Sequence, residues 1–185
     1  MHATPSPQPA PPVRIGRALA RWLGAARSRR TRGAVVPGDS PHPPNDVATS
    51  DCTTFIRIWI DAEALRPGST DGIHIADNRS ADGSRHQGTP VLSTCVKAGS
   101  PICWEIFNIS PASDAILRIE AISASPLFAH GAPPRTAPDN VDARTTIAVH
   151  PGRDTYTVAF GVTCPGRPPM RFRISPSLSV LEHTA

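Results

Sequence analysis

From Asp51 onward the chain consists of short runs of β-branched and apolar residues, separated by clusters of Gly, Pro, Asn and Asp. Runs of this length and composition predict β-strands, and a long succession of them predicts an all-β fold. We expect a two-sheet antiparallel β-sandwich of the immunoglobulin or jelly-roll kind. The predicted strands cover residues 54–60, 72–76, 91–97, 102–109, 115–123, 145–150, 155–164, 170–174 and 177–181.

The predicted domain, residues 51–185, is long enough to bury a core without disulfide staples, which are usually needed only below ~70–80 residues. Alternation within the strands predicts which side chains form that core. We assign both Trp59 and Trp104 to core packing. The predicted core residues are Ile56, Ile58, Ile60, Leu92, Val96, Ile102, Trp104, Ile106, Leu117, Ile119, Val158, Phe160 and Val162.

Residues 1–50 differ sharply from the domain in charge. They contain seven Arg and two Asp, a net charge of +5, so that residues 51–185 carry the remaining −1 of the total of +4. We therefore expect no nucleic-acid partner for the domain. The leader is rich in Pro and Arg and is predicted to be disordered, with a short basic amphipathic helix at 13–31. A helix of this kind is consistent with three functions: contact with a membrane surface, contact with nucleic acid, and targeting.

The four cysteines show no C-x-x-C pair, which disfavours a structural zinc site. If strands 91–97 and 102–107 form a hairpin around residues 98–100, Cys95 lies opposite Cys103 and a disulfide between them is feasible. Alternatively, Gly99 carries the chain across to the other sheet, and the two thiols are then separated. Small buried thiols are the common outcome in a β core.

No motif in the sequence predicts a metal or cofactor. His150, Cys164 and Met170 follow the ligand order of a cupredoxin, but Arg167 stands where the second His is needed, and a cation cannot ligate copper. A second, calcium-like block lacks the spacing and closing Glu of an EF-hand, so we interpret it as a polar loop. Its residues are Asp71, Asp77, Asn78, Asp82 and Gly83.

No motif predicts catalysis either. The sequence has neither the G-x-S-x-G nor the H-E-x-x-H pattern of hydrolases. Asp61 and Glu63, at the end of the first strand, fit a strand end or turn better than an acid/base pair, which requires a shared cleft. Residues 124–143 form a long predicted loop of the kind that often carries function. Phe128 is its one aromatic residue.

Four segments of the domain resemble the AidA/PixA inclusion-body protein family. Residues 55–65 (FIRIWIDAEAL) resemble its opening strand and turn, and residues 72–76 (GIHIA) the strand that follows. Residues 96–104 (VKAGSPICW) supply an element ending in x-x-Gly-x-x-Ile-x-Trp, and residues 156–162 (YTVAFGV) resemble the penultimate strand. The resemblance spans about residues 52–181. It implies a bacterial all-β sandwich, stored in some members as cytoplasmic inclusions, and it carries over no catalytic residues.

We therefore expect a non-enzymatic, cytoplasmic accessory protein that self-associates and uses no cofactor. Sheet edges beside the charged residues of strands 54–60 and 115–123 are the expected association sites. The alternative is a secreted or surface module that binds a glycan or protein ligand through residues 124–143. A hydrolase with a convergent triad is the least favoured interpretation.

Overall fold

The computed structural model describes residues 46–110 and 112–182, and these ranges contain eleven strands and three short 3-10 turns. The expectations for the leader and for a helix at 13–31 concern residues outside these ranges. The turns are Thr49–Asp51, Ser80–Asp82 and Ala129–Gly131. The strands are β1 (Thr54–Ile60), β2 (Ile73–Asp77), β3 (Ser93–Lys97), β4 (Ser100–Asn108), β5 (Ile116–Ile122), β6 (Arg135–Thr136), β7 (Arg144–Ala148), β8 (Gly152–Thr155), β9 (Val158–Thr163), β10 (Met170–Ile174) and β11 (Ser177–Leu181).

The strands form three sheets around one core. A five-stranded sheet has the order β2-β1-β4-β7-β6, and two three-stranded sheets have the orders β10-β9-β5 and β3-β11-β8. Buried side chains from all three belong to one continuous cluster, so the fold is the expected β-sandwich. The expectation that its sheets are antiparallel throughout is wrong, because β1 runs parallel to β4 and β3 runs parallel to β11, so two of the sheets are mixed.

The alternation that predicted the core holds in the structure. Ile56, Ile58 and Ile60 of β1 are fully buried, while the residues between them are partly or largely exposed. All the predicted core residues are buried except Ile106 and Leu117, which pack against the core and are partly buried.

The predicted loop at 124–143 is part of the packed fold. It contains β6, which pairs with β7, and its Leu127 and Phe128 are buried. The Phe128 ring meets Trp104 and Tyr156 edge-to-face, with centroid separations of 5.7 and 5.9 Å. Edge-to-face contacts at such distances add to the stability that burial provides. The segment therefore closes one side of the aromatic core.

The predicted strand at 155–164 is two strands. Its first residue ends β8, which pairs with β11, and β9 begins at Val158 and pairs with β5 and β10. Between them Tyr156 turns into the core, and its backbone N–H donates to the carbonyl of Pro176. The chain therefore passes from one sheet to another at the buried Tyr156.

Of the two arrangements that the sequence left open for β3 and β4, the hairpin is not formed, and the crossing to another sheet at Gly99 is the one observed. The backbone N–H of Ala98 bonds to β11 and that of Gly99 to β7, so the chain crosses from one sheet to another at these residues. Gly99 makes the turn with φ +85°, a value that glycine adopts readily.

The Cys95–Cys103 disulfide that the hairpin would have allowed is consequently not formed. Cys103 lies in the five-stranded sheet and is bonded to Cys52, with their Cα atoms 5.9 Å apart. Cys95 lies in the sheet of β3 and is a free thiol, as is Cys164. Cys52 comes just before β1, and the parallel pairing of β1 with β4 brings it beside Cys103.

Candidate functional site

The calcium-like residues of the sequence serve local structure. One carboxylate oxygen of Asp77 accepts from the backbone N–H of Arg79 and from the Gln87 amide, at 2.9 and 2.7 Å. Asp82 forms a 3.0 Å ion pair with Arg79. The Asn78 side chain accepts from the N–H of Phe55, tying this segment to β1. These side chains therefore bond to neighbouring turns and strand ends, while the second carboxylate oxygen of Asp77 is buried without a hydrogen-bond partner among the described residues.

The other candidate centres of the sequence have comparable local roles. The Asp61 carboxylate accepts from the backbone N–H groups of Glu63 and Ala64, which makes it the cap of a turn. Across residues 46–110 and 112–182, no group of three or more His, Cys, Asp or Glu side chains is placed to hold a metal ion. No helix in these ranges is long and apolar enough to cross a membrane.

The candidate site lies on the outer face of the five-stranded sheet, which is the face that points away from the core. In β1 the residues between the buried isoleucines, Phe55, Arg57 and Trp59, lie on this outer face. The parallel register sets them beside Cys103, Glu105 and Phe107 of β4, in that order. The outer face is therefore apolar at both ends and charged in the middle.

One end of this outer face is covered by the segment that precedes β1. Val47, Cys52 and Cys103 are buried there in a second, small apolar cluster with Phe55 and Ile147. The Thr145 hydroxyl donates to the carbonyl of Val47 at 2.9 Å, and the Cys52–Cys103 disulfide fixes the segment covalently.

A carboxylate outside this cluster also holds the segment. Asp139, from the 124–143 region, accepts from the backbone N–H and the hydroxyl of Thr49 at 2.8 and 2.7 Å. The bond from the backbone N–H, followed by that from the hydroxyl, lowers the pKa of the Asp139 carboxyl below its usual value.

The other end of the outer face is partly exposed, and we call it the outer-face patch. It comprises Arg57 and Trp59, which are exposed, and Glu105 and Phe107, which are half-buried. The Trp59 and Phe107 rings stack with centroids 4.9 Å apart and planes inclined by 29°. Arg57 Nε lies 3.2 Å from Glu105 Oε2. Trp59 is 37% exposed, so its assignment to core packing is wrong, whereas Trp104 is fully buried.

A shallow groove of about 320 Å³ borders the patch between β1 and β2. Arg57 extends over the Phe55 ring, with its guanidinium carbon 5.5 Å from the centroid, and the small side chain of Ala76 on β2, the strand partner of Arg57, leaves space there. The groove is lined by Phe55, Arg57, Trp59, Ala76, Asp77 and Asn78.

The sequence contained the signal for this surface. In residues 54–60 (TFIRIWI), Trp59 is two positions from Arg57 and shares its face, and an Arg in a central strand marks the face turned to solvent. The structure also shows that β1 is the central strand of three, between β2 and β4. The sheet edge expected at β1 is therefore not there, because Arg57 lies on a broad sheet face, whereas β5, the other strand of that expectation, is an edge strand of its sheet.

A separate cleft of about 230 Å³ contains the free thiol of Cys95 near Arg79 and Lys97. Asp82 neutralises Arg79 within the same cleft.

Comparison with known proteins agrees with this fold. A family model described as "Domain of unknown function (DUF8788)" matches residues 52–160. No curated protein matches the sequence significantly. The crystal structure of an inclusion body protein, PixA, from Burkholderia cenocepacia is similar, with a TM-score of 0.54 and 14% sequence identity over 69% of this chain and 94% of that chain. At this identity the likeness shows a shared fold, and it supports the AidA/PixA resemblance at that level.

Proposed function

The chain belongs to the DUF8788 family, and we propose that it is a non-enzymatic β-sandwich protein of the inclusion-body type that associates with copies of itself. The shared fold with a protein described as an inclusion body protein supports this type of function. The observation that carries the proposal is the outer-face patch, where an exposed Trp stacks on a half-buried Phe on the outer face of a sheet. Aromatic residues and Arg are enriched in protein interfaces relative to other surfaces.

The roles of the acidic residues support a non-enzymatic function. Asp61 caps a turn, one oxygen of Asp77 is committed to two donors, and Asp82 is paired with Arg79. A general acid or base needs a carboxyl directed at a substrate within a cleft. Asp77 and Asp82 do line the two grooves, but both are bonded to Arg79, and Asp77 also to Gln87, so they hold the segment that follows β2.

The alternative of a ligand-binding loop at 124–143 has less support. Phe128, its one aromatic residue, is fully buried against Trp104, so it is not available to stack on a sugar. Asp139 of the same region is engaged with Thr49. We therefore favour self-association as the function.

Static light scattering of the full-length protein over a concentration series tests the proposal. Self-association predicts a weight-average mass that rises with concentration above the 19.6 kDa of one chain, as mass action requires. A mass that stays at the single-chain value throughout the series would overturn the proposal.

The disulfide bears on where the protein works. Bonds such as Cys52–Cys103 persist in oxidising compartments and are rare in a reducing cytoplasm. This favours the secreted alternative over the cytoplasmic inclusions that the family resemblance implies, so we propose that this chain is exported and associates with copies of itself outside the cytoplasm. Thiol titration of denatured protein from its native host, isolated without reductant and with free thiols blocked at lysis, tests this. Export predicts two reactive thiols, Cys95 and Cys164, whereas four would contradict it.

A further inference from the structure

We propose that two copies of the chain associate face to face through the outer-face patch, in a symmetric dimer whose two-fold axis runs parallel to β1 and β4. This inference rests on the proposed self-association and specifies its interface. It derives from the arrangement of four side chains on two neighbouring strands.

The four residues of the patch form a two-by-two block. The register pairs Arg57 with Glu105 and, two residues further along both strands, Trp59 with Phe107. Strands in a sheet lie ~4.8 Å apart, and residues two apart along a strand share a face. One row of the block is therefore an ion pair, and the next row is an aromatic pair.

A two-fold axis parallel to the strands makes this block complementary to itself. The rotation places β4 of the second copy over β1 of the first without shifting either along the strand direction. Arg57 then faces Glu105 of the other copy, and Trp59 faces Phe107. The same contacts occur twice, as an isologous interface requires.

An axis across the strands gives a poorer match. It would set the row of charges against the row of aromatic rings, so that both copies lose hydration of their charged groups without gaining an opposite charge. Both axes keep the strands of the two sheets aligned, as sheets that pack face to face do to within about 30°, so the match between the rows decides between the axes.

The chemistry of the patch favours a second copy over an unrelated partner. The patch carries one positive and one negative group, so two identical patches attract rather than repel. The Arg57 side chain is 50% exposed and therefore has room for a second carboxylate, since guanidinium has five N–H donors. Trp59 supplies a side chain of the type that dominates binding energy at interface centres.

Charge reversal at the two positions tests this geometry. Arg57→Glu makes the patch doubly negative and Glu105→Arg makes it doubly positive, so each variant alone should be monomeric where the wild type is dimeric. An equimolar mixture of the two should recover dimers, and so should the double variant. The matched control is Arg171→Glu, which breaks the exposed 3.1 Å Arg171–Glu120 pair on another sheet and should dimerise like the wild type.

Sedimentation velocity gives the dissociation constant of each sample, and circular dichroism melting confirms that each variant is folded. We expect the constant for each single reversal to rise at least about tenfold, with recovery in the mixture. Trp59→Ser, which changes no charge, should raise it similarly and serves as the test if a reversal variant fails to fold.

The possible failures are distinguishable. A wild type that stays monomeric overturns the proposed self-association. If the wild type associates, and both reversals and Trp59→Ser associate equally well, the proposed interface is wrong but self-association stands. If the single reversals are monomeric and neither the mixture nor the double variant recovers dimers, the two-fold geometry is wrong.

Discussion

The indole Nε1 of Trp104 donates a 3.0 Å hydrogen bond to the hydroxyl of Tyr156, and neither side chain is more than 1% exposed. Trp104 belongs to the five-stranded sheet, whereas Tyr156 lies between β8 and β9, which belong to the two three-stranded sheets. The bond thus joins the layers of the sandwich at its centre, within the aromatic cluster that Phe128 completes.

Tyr156→Phe should lower the free energy of unfolding by about 1–3 kcal/mol, because it leaves a buried indole N–H without a partner. Urea denaturation measures the change. A double-mutant cycle with Trp104→Phe separates the hydrogen bond from the loss of ring volume. We expect the two substitutions together to cost less than the sum of their separate costs, and additive costs would refute the bond's contribution.

The same tyrosine makes stability fall at high pH. Burial raises the pKa of Tyr156 above its usual value of about 10, outweighing the opposing effect of the bond from Trp104. Above about pH 10, Tyr156 loses its phenolic proton in the unfolded chain but keeps it in the folded chain. The free energy of unfolding should therefore decrease by up to about 1.4 kcal/mol per pH unit from this group. Urea titrations above pH 10 should show a steeper loss for wild type than for Tyr156→Phe, and equal slopes would contradict this.

Removing the Cys52–Cys103 disulfide should destabilise the domain. The bond closes a loop between residues 51 apart in the sequence, for which disulfides typically contribute about 2–4 kcal/mol. The double variant Cys52→Ser/Cys103→Ser should unfold at lower urea by this amount. Reductant should shift the wild type in the same direction and leave the double variant unchanged. Cys95→Ser is the control that retains the bond, and a double variant as stable as this control would count against the pairing.

Gly72 precedes β2 at a position where a side chain would collide with the backbone. A Cβ there would lie 2.8 Å from the carbonyl oxygen of Asp61, and φ is +80°. Gly68 has nearly the same φ, +77°, with no atom within 4 Å of its Cβ position. Both Ala substitutions carry the left-handed strain of about 1–2 kcal/mol, and Gly72→Ala adds the collision. Thermal denaturation should show a clearly larger loss for Gly72→Ala, whereas equal losses would disprove the collision.

The sequence patterns predicted features that depend on neighbouring residues. Strands β1, β10 and β11 match their predicted bounds, because alternation is a local signal, as are Pro169 and Pro176, which flank β10 and β11. The assignments that failed depend on pairing between distant segments. Cys52 meets Cys103 only because β1 and β4 are parallel neighbours, a contact that no turn rule predicts.

The site was partly predictable for the same reason. Alternation in β1 was sufficient to place Trp59 on the face of Arg57. Phe107 and Glu105 lie beside them because β1 and β4 pair in parallel register, although β2 and β3 separate these two strands in the chain. Parallel pairs need long connections, so their register is not set by a turn. The burial of Phe128 likewise depends on how residues 124–143 fold back onto the core.

Sedimentation equilibrium of the full-length wild type beside Trp59→Ser tests the central claim most directly, over an about 100-fold range of concentration. The wild type should approach twice the 19.6 kDa of one chain as concentration rises, while the variant, with an unchanged melting temperature, should remain near the single-chain mass. A wild type that is monomeric at every concentration, or a variant that associates as strongly as the wild type, would contradict self-association through the outer-face patch.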